Sequence, residues 1–200
     1  SDSNPSKWSV STIFEGQRPI TSAPAVSRLA DKRVVIFGTG SDLSEEDVVG
    51  TDQQYIYGIF DDDKGTGTVK VTVQNGTGGG LLEQVLSEEN KILFLTNNKA
   101  SGGSNGKGWV VKLKEGGRVT VKPTVVLRTA FVTIRSYTGN DKCDAQTAIL
   151  GINTADGGAL TPRSARPIVP GDQVAQYSGH KKMNGKSIPI GCMWKNGKTV

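Results

Sequence analysis

Apolar and polar positions alternate along most of this chain, in short runs that end at glycine, proline or acidic turns. Tyr55–Gly65 (YIYGIFDDDKG) shows the pattern plainly. Tyr55, Tyr57 and Ile59 alternate with Ile56, Gly58 and Phe60, and aromatic and β-branched residues suit a pleated strand. Asp61-Asp62-Asp63-Lys64-Gly65 then supplies a turn. The same reading predicts strands over Trp8–Phe14, a proline-bracketed stretch between Pro19 and Pro24, Arg33–Phe37, Thr68–Val73, Lys91–Thr96, Trp109–Leu113, Val119–Val126, Phe131–Tyr137 and Ile188–Trp194. Leu81–Leu86 fits a helical turn or a strand. Ser44-Glu45-Glu46-Asp47 has the form of a capping box and predicts one helical turn before Gly50. Asn75-Gly76 signals a hairpin, Gly78-Gly79-Gly80 a flexible spacer, and Thr138–Gln146 a polar loop.

Three strands share a design. Tyr55–Gly65, Gly108–Gly117 and Ile149–Gly158 each carry an apolar run with a glycine and end in an acid and glycine. The glycines Gly58, Gly108 and Gly151 stand 50 and 43 residues apart. What precedes them also repeats. Arg18 leads to Pro24, then Val34–Phe37, then Gly58; Arg118 leads to Pro123, then Phe131–Ile134, then Gly151. Periods of about 40–50 residues with four short strands mark propeller blades. The chain therefore reads as all-β, a partial β-propeller of about three four-stranded antiparallel blades over residues 1–158. Residues 159–200 do not repeat the pattern and read as a basic Pro/Gly-rich insertion or excursion with a small β meander. Propellers close with about 4–8 blades, so this chain is expected to be the interior part of something longer and to associate through open edges.

Composition supports this reading. Glycine numbers 26 of 200 residues and aromatics are few, which suits turns and short strands. No apolar run approaches the roughly 20 residues of a membrane-spanning helix. The net charge of +5 is uneven: residues 1–66 are acidic and the remainder basic. A basic surface attracts nucleic acid, anionic lipid or acidic glycans, but no aromatic-basic nucleic-acid motif accompanies it.

The candidate chemistry is sparse. Gly38-x-Gly40 lacks the rest of a dinucleotide fingerprint, and Gly185-Lys186-Ser187 lacks the first glycine of a phosphate loop. His180 is the single histidine and lies beside Lys181 and Lys182, as a solvated surface residue would. Together with Lys186 these residues form a candidate patch for an anionic ligand. Asp61 and Asp63, and Asp42 and Asp47, are candidate calcium ligands, against the ordinary reading of solvated turns; neither stretch has the full alternating-acid loop. Cys143 and Cys192 are disulfide candidates, outside any C-x-x-C pair. Asn75-Gly76-Thr77 fits a glycosylation acceptor. No constellation supports catalysis, and the reading is of a non-enzymatic module.

Arg18-Pro19-Ile20-Thr21-Ser22-Ala23-Pro24, Val34–Gly40 and Gln54–Asp61 together resemble the C-terminal region of the PilC/PilY proteins, the type IV pilus tip-associated adhesins and biogenesis factors. Gly108-Trp109, Arg118-Val119, Pro123, Phe131–Ile134 and Cys143 continue the likeness, which covers about residues 1–158 and is nearest to the Neisseria-type PilC proteins. The resemblance implies a modified β-propeller, export to the outer membrane, cell surface or pilus tip, and roles in promoting assembly, opposing retraction and attaching to host cells. It implies minor pilins and the pilus assembly machinery as partners, with a host-cell receptor besides, and no nucleic acid. The family's calcium loop lies upstream of Ser1, so no cofactor is expected within this segment. Two other classes stay open: a quinoprotein-like propeller enzyme, and an acidic-glycan-binding module using 159–200.

Overall fold

The computed structural model describes residues 3–62, 67–89, 92–99, 106–138 and 144–160, with the strand backbones at 165–168, 180–183 and 186–189. The strands are β1 (Phe14–Glu15), β2 (Ala25–Arg28), β3 (Arg33–Gly38), β4 (Tyr55–Asp61), β5 (Val69–Lys70), β6 (Leu82–Glu89), β7 (Ile92–Leu95), β8 (Gly108–Lys112), β9 (Thr124–Val126), β10 (Thr129–Thr138), β11 (Asp144–Asn153), β12 (Ala165–Ile168), β13 (His180–Met183) and β14 (Lys186–Pro189). One short helix, α1 (Glu45–Val49), follows the capping box of Ser44 and Asp47 as expected. Ten strands form one sheet in the order β2-β3-β4-β8-β6-β7-β12-β11-β10-β9. Two smaller pairs, β1-β5 and β13-β14, form separate sheets. The chain is thus all-β, as the alternation predicts.

The sheet curls. Its two end strands, β2 and β9, approach one another. Between them Val34, Ile36, Ile56, Trp109, Val111, Val132, Ile134, Leu150 and Ile152 fill one inner core. The curl is also bridged directly: Val119 N–H donates to the Thr39 carbonyl at 3.0 Å, while Arg118 and Arg135 exchange two backbone bonds of 2.8 and 2.9 Å. Two four-stranded groups, β2-β3-β4-β8 and β12-β11-β10-β9, are joined through the β6-β7 pair. Each group has the strand count of a blade.

The sequence repeat has a structural counterpart. Ala25, Ile36 and Gly58 lie on one rung across β2, β3 and β4. Thr124, Phe131 and Gly151 lie on one rung across β9, β10 and β11. Each rung begins just after a proline, Pro24 or Pro123. The environments are nevertheless opposite. Ile36 is fully buried, whereas Phe131 is 43% exposed. Following the pairings through the sheet, β4 and β11 run in the same direction, but the two meanders enter from opposite edges. Turning a meander over in this way, with strand direction kept, exchanges its two faces. Val35 and Phe37 therefore face outward, while Ala130 and Val132, their counterparts, face the core. Gly108 opens β8, which adds to the first meander as its fourth strand.

The first meander is buried on both faces. Phe14 packs on Phe37 and Tyr57 with ring centroids 4.9 and 4.8 Å apart, and Val69, Val71 and Leu81 complete this outer layer. The layer explains several departures from the alternation pattern. Trp8–Phe14 does not form a strand throughout; β1 begins only at Phe14. The carbonyls of Thr12 and Ile13 accept from Thr68 and Val69, and Trp8 and Val10 are 62% and 98% exposed. Thr68–Val73 shortens to β5, which pairs with β1 in parallel. Asn75-Gly76 accordingly closes no hairpin. Its loop lies on the aromatic layer instead, with Tyr57 Oη donating to the Gly76 carbonyl at 2.8 Å. Gly79 and Gly80 have φ of 75° and 76° and make a defined turn.

Elsewhere Leu81–Leu86 resolves into β6, which pairs in parallel with β8. Val119–Val126 reduces to β9, with Val119 bonded to Thr39 after the Arg118–Arg135 bridge, since Pro123 cannot donate to a ladder. The expected loop over Thr138–Gln146 narrows, because β10 runs to Thr138 and β11 starts at Asp144. β12 takes a place in the main sheet between β7 and β11, and β13 pairs with β14. The strand expected at Ile188–Trp194 overlaps β14 only through Pro189; residues 190–200 lie outside the described residues.

Trp109 sits at the centre. It is fully buried, opposite Gly58 in the β4-β8 ladder. Its Nε1–H donates to the Thr154 carbonyl at 2.9 Å. A Cβ on Gly58 would fall 2.1 Å from Trp109 Cε2, and one on Gly157 would fall 2.6 Å from Cδ2. Gly58→Ala should therefore destabilise the chain by about 3 kcal/mol in urea unfolding, the upper range for overpacking. Combining it with Trp109→Phe should give less loss than the sum of the single changes, by about 1 kcal/mol or more. Strict additivity would mean that Gly58 is not set by the indole.

Candidate functional site

Two buried arginines, Arg118 and Arg135, lie at one end of the curled sheet, where the 41–52 connection crosses it. Ser44 begins α1 and its hydroxyl accepts from Asp47 N–H at 3.3 Å. The Asp47 carboxylate in return accepts from Ser41 Oγ at 2.6 Å, Leu43 N–H at 2.9 Å and Ser44 N–H at 3.1 Å. These bonds, that from Ser41 foremost, hold Asp47 below its ordinary value of 3.8. The other end of this short helix meets Arg118. Its guanidinium donates to the carbonyls of Ser41 at 3.2 Å, Val48 at 3.5 Å and Gly50 at 3.0 Å, and also to Asp47. A cation over the free carbonyls of a helix C-terminus is favourable both as a donor and through the dipole.

Arg118 also lies over the Tyr137 ring, 5.1 Å from its centroid. Tyr137 Oη donates to Asp42, and Arg135 Nη1 approaches the same carboxylate at 3.9 Å. Arg135 is almost wholly buried. Burial raises Asp42 above its ordinary value, although Tyr137, Arg135 and Arg118 all pull against it. Burial also raises Tyr137 and lowers Arg135. Arg18, the counterpart of Arg118 in the sequence repeat, holds Asp52 at 2.7 Å. The two repeat arginines thus grip one connection at both its ends. Clefts of about 120 and 180 Å³ flank Arg118, one reaching Asp52 and Gln54, the other Glu115 and Tyr137. Because the Arg118 donors are directed at backbone carbonyls, the arrangement is suited to clamping a chain crossing rather than to receiving an anion.

The opposite end of the sheet holds Asp61. Its carboxylate accepts from Arg33 Nε and Nη2, both at 3.3 Å, beside a cleft of about 130 Å³ that includes Arg28, Asp31 and Asp62. The calcium candidates therefore fall at two places. Asp42 and Asp47 sit at the arginine clamp and Asp61 sits at the far end; Asp63 lies outside the described residues. Among the described residues no group of three or more His, Cys, Asp or Glu is placed to hold a metal ion. Cys143 and Cys192 lie outside the described residues. His180, Lys181, Lys182 and Lys186 lie on the paired strands β13 and β14, and their side chains are outside the description. Arg135 and Tyr137 escaped the sequence reading because on an alternating strand they share the pattern of ordinary outward polar positions. Arg118 was visible only as the basic residue that opens a repeat.

Asp47→Ala removes three accepted bonds and should lower stability by about 1–2 kcal/mol near neutral pH. Since the folded state depresses the Asp47 value, its contribution is present above 3.8 and is lost as pH falls through the lower folded value. Asp42, shifted upward, contributes in the opposite sense, but it is common to both proteins. The gap between parent and variant in urea midpoint should therefore narrow as pH falls below 3.8 and close once Asp47 is protonated in the folded state. A gap unchanged at low pH would show that the carboxylate charge at Asp47 is immaterial.

Residues 1–99 match the family model of the PilY1 beta-propeller domain. The chain is also similar to the crystal structure of the Pseudomonas aeruginosa PilY1 C-terminal domain, with 18% sequence identity and a TM-score of 0.57. That similarity covers 86% of this chain and 38% of the other, so the chain spans well under half the length of the solved domain. At this identity it speaks for the fold. No curated protein matches the chain. No described helix is long and apolar enough to cross a membrane. The matched strands, the repeated meanders and the curled sheet agree: residues 1–99 match the PilY1 beta-propeller domain and the fold is similar to part of the PilY1 C-terminal domain, which supports a C-terminal region of the PilC/PilY family.

Proposed function

We propose that the chain is the scaffold portion of a non-enzymatic type IV pilus biogenesis factor and tip-associated adhesin, acting through protein–protein contact. The observation that carries this reading is the match of residues 1–99 to the PilY1 beta-propeller domain. In this reading the whole protein is exported to the outer membrane, cell surface or pilus tip. There it promotes assembly, opposes retraction and attaches to host cells. Its partners are minor pilins and the assembly machinery, with a host-cell receptor besides. Residues 1–158 carry the propeller portion, and 159–200 form a basic excursion that returns β12 to the main sheet. Calcium, where it serves the whole protein, binds upstream of this chain.

The geometry supports a scaffold. The β3-β4-β8 group is buried on both faces, and the buried guanidinium of Arg118 is directed at backbone carbonyls. Such a body presents loops and edges on a rigid frame, which suits recognition of another protein.

The test is retention of purified minor pilins by the immobilised full-length protein and, separately, by this chain. Retention by the full-length protein is expected, and retention by both would place the contact on these strands. Failure of the full-length protein to retain any pilin would overturn the assembly reading. Salt-sensitive binding to an acidic glycan in its place, lost when Lys181, Lys182 and Lys186 become alanine, would favour the glycan-binding alternative. A cofactor absorbance in the intact protein would favour the quinoprotein alternative.

A further inference from the structure

The connection between β9 and β10 is a two-residue turn, since Val126 pairs with Thr129. Its residues, Leu127 and Arg128, have φ of 46° and 65°, the described non-glycine residues with positive φ. A hairpin turn with positive φ at both central positions favours Asn-Gly, and a branched leucine in that region is a rare and strained choice. Leu127 is also 94% exposed, so burial within this chain does not compensate for the strain. The turn is nonetheless fixed in place. Thr154 N–H donates to the Arg128 carbonyl at 3.0 Å, and Ser27 Oγ bonds Thr154 Oγ1 at 3.0 Å. It stands where β9 meets β2, near two further exposed apolar side chains, Val126 and Val26, which are 51% and 57% exposed. Arg28 and Arg128, at the same end of the sheet, are exposed and form no ion pair among the described residues.

We infer that the Leu127-Arg128 turn is a preformed contact knob that inserts Leu127 into an apolar socket ringed by carboxylates on a pilus subunit, with Arg28 and Arg128 meeting those carboxylates. This rests on the pilus-assembly reading above and assigns its contact surface. A strained, exposed leucine with Arg128 beside it and Arg28 at the same end of the sheet fits a partner that is apolar at its centre and acidic at its rim. That is the usual division of a protein interface into a buried apolar centre and a polar periphery. The strain is expected where function rather than folding selects the residue.

The experiment uses the full-length protein and purified minor pilins as probe. Leu127→Ser should weaken pilin retention at least tenfold without lowering the melting temperature. Arg128→Glu should weaken it further and reduce its salt dependence, since Arg28 remains, whereas Arg128→Lys should retain it. The double change Leu127→Asn with Arg128→Gly should raise the melting temperature while abolishing retention, because it relieves the turn and deletes the knob. Undiminished retention in Leu127→Ser and Arg128→Glu overturns the assignment and leaves the assembly reading intact. No retention by the parent protein overturns both. Loss of self-association in Leu127→Ser with pilin retention unchanged would name a second copy as the occupant and overturn the assignment also.

Discussion

The close approach of the Trp109 indole to glycine backbone is the constraint on which the sheet depends. Trp109 can lie flat in the core because Gly58 presents no side chain across the β4-β8 ladder and Gly157 presents none from the turn after β11. The indole N–H reaches the Thr154 carbonyl in that same turn. One side chain thus joins the first strand group to the second, where the order of strands alone would leave them at opposite ends of the sheet. A large aromatic surface buried with its polar atom satisfied is stabilising in both respects. The turn it touches also holds the β9-β10 hairpin, through Thr154 and the Arg128 carbonyl.

At one end of the sheet the linkage is polar. Arg118 and Arg135 exchange backbone bonds across the curl, and the Arg118 guanidinium closes the C-terminal carbonyls of α1. Burying such cations is tolerable only when their donors are met. Here main-chain carbonyls and the Tyr137 ring meet Arg118, and the Asp42 carboxylate lies 3.9 Å from Arg135. A central apolar pin and a cationic clamp at one end keep a ten-stranded sheet curled, and that rigidity lets its turns serve as recognition elements.

Much of this was legible in the chain. Alternation at Tyr55–Phe60 and Phe131–Tyr137 marks strands, because period two is intrinsic to the pleat. The Ser44–Asp47 spacing marks α1, because capping is local. The repeated glycine and proline positions mark two meanders with equivalent rungs. What was hidden depends on partners distant in sequence. Nothing near Phe131 announces that its meander enters from the opposite edge and so turns it outward, while Ile36 points in. Asn75-Gly76 carries a hairpin signal, yet the aromatic layer of Tyr55 and Tyr57 claims its loop. Asp42 and Asp47 resemble metal ligands in sequence, and the fold engages them with Ser41, Tyr137 and Arg135. Arg135 looks like a solvated strand position until the 41–52 connection is laid over it.

The central claim is that both strand groups belong to one cooperative unit pinned by Trp109. Native-state hydrogen exchange tests it directly. The amides of β3, β4 and β8 should open with the same free energy as those of β10 and β11, and all should shift together with denaturant. Two separate opening energies, with one group exchanging while the other stays protected, would contradict the account and describe independent blades instead.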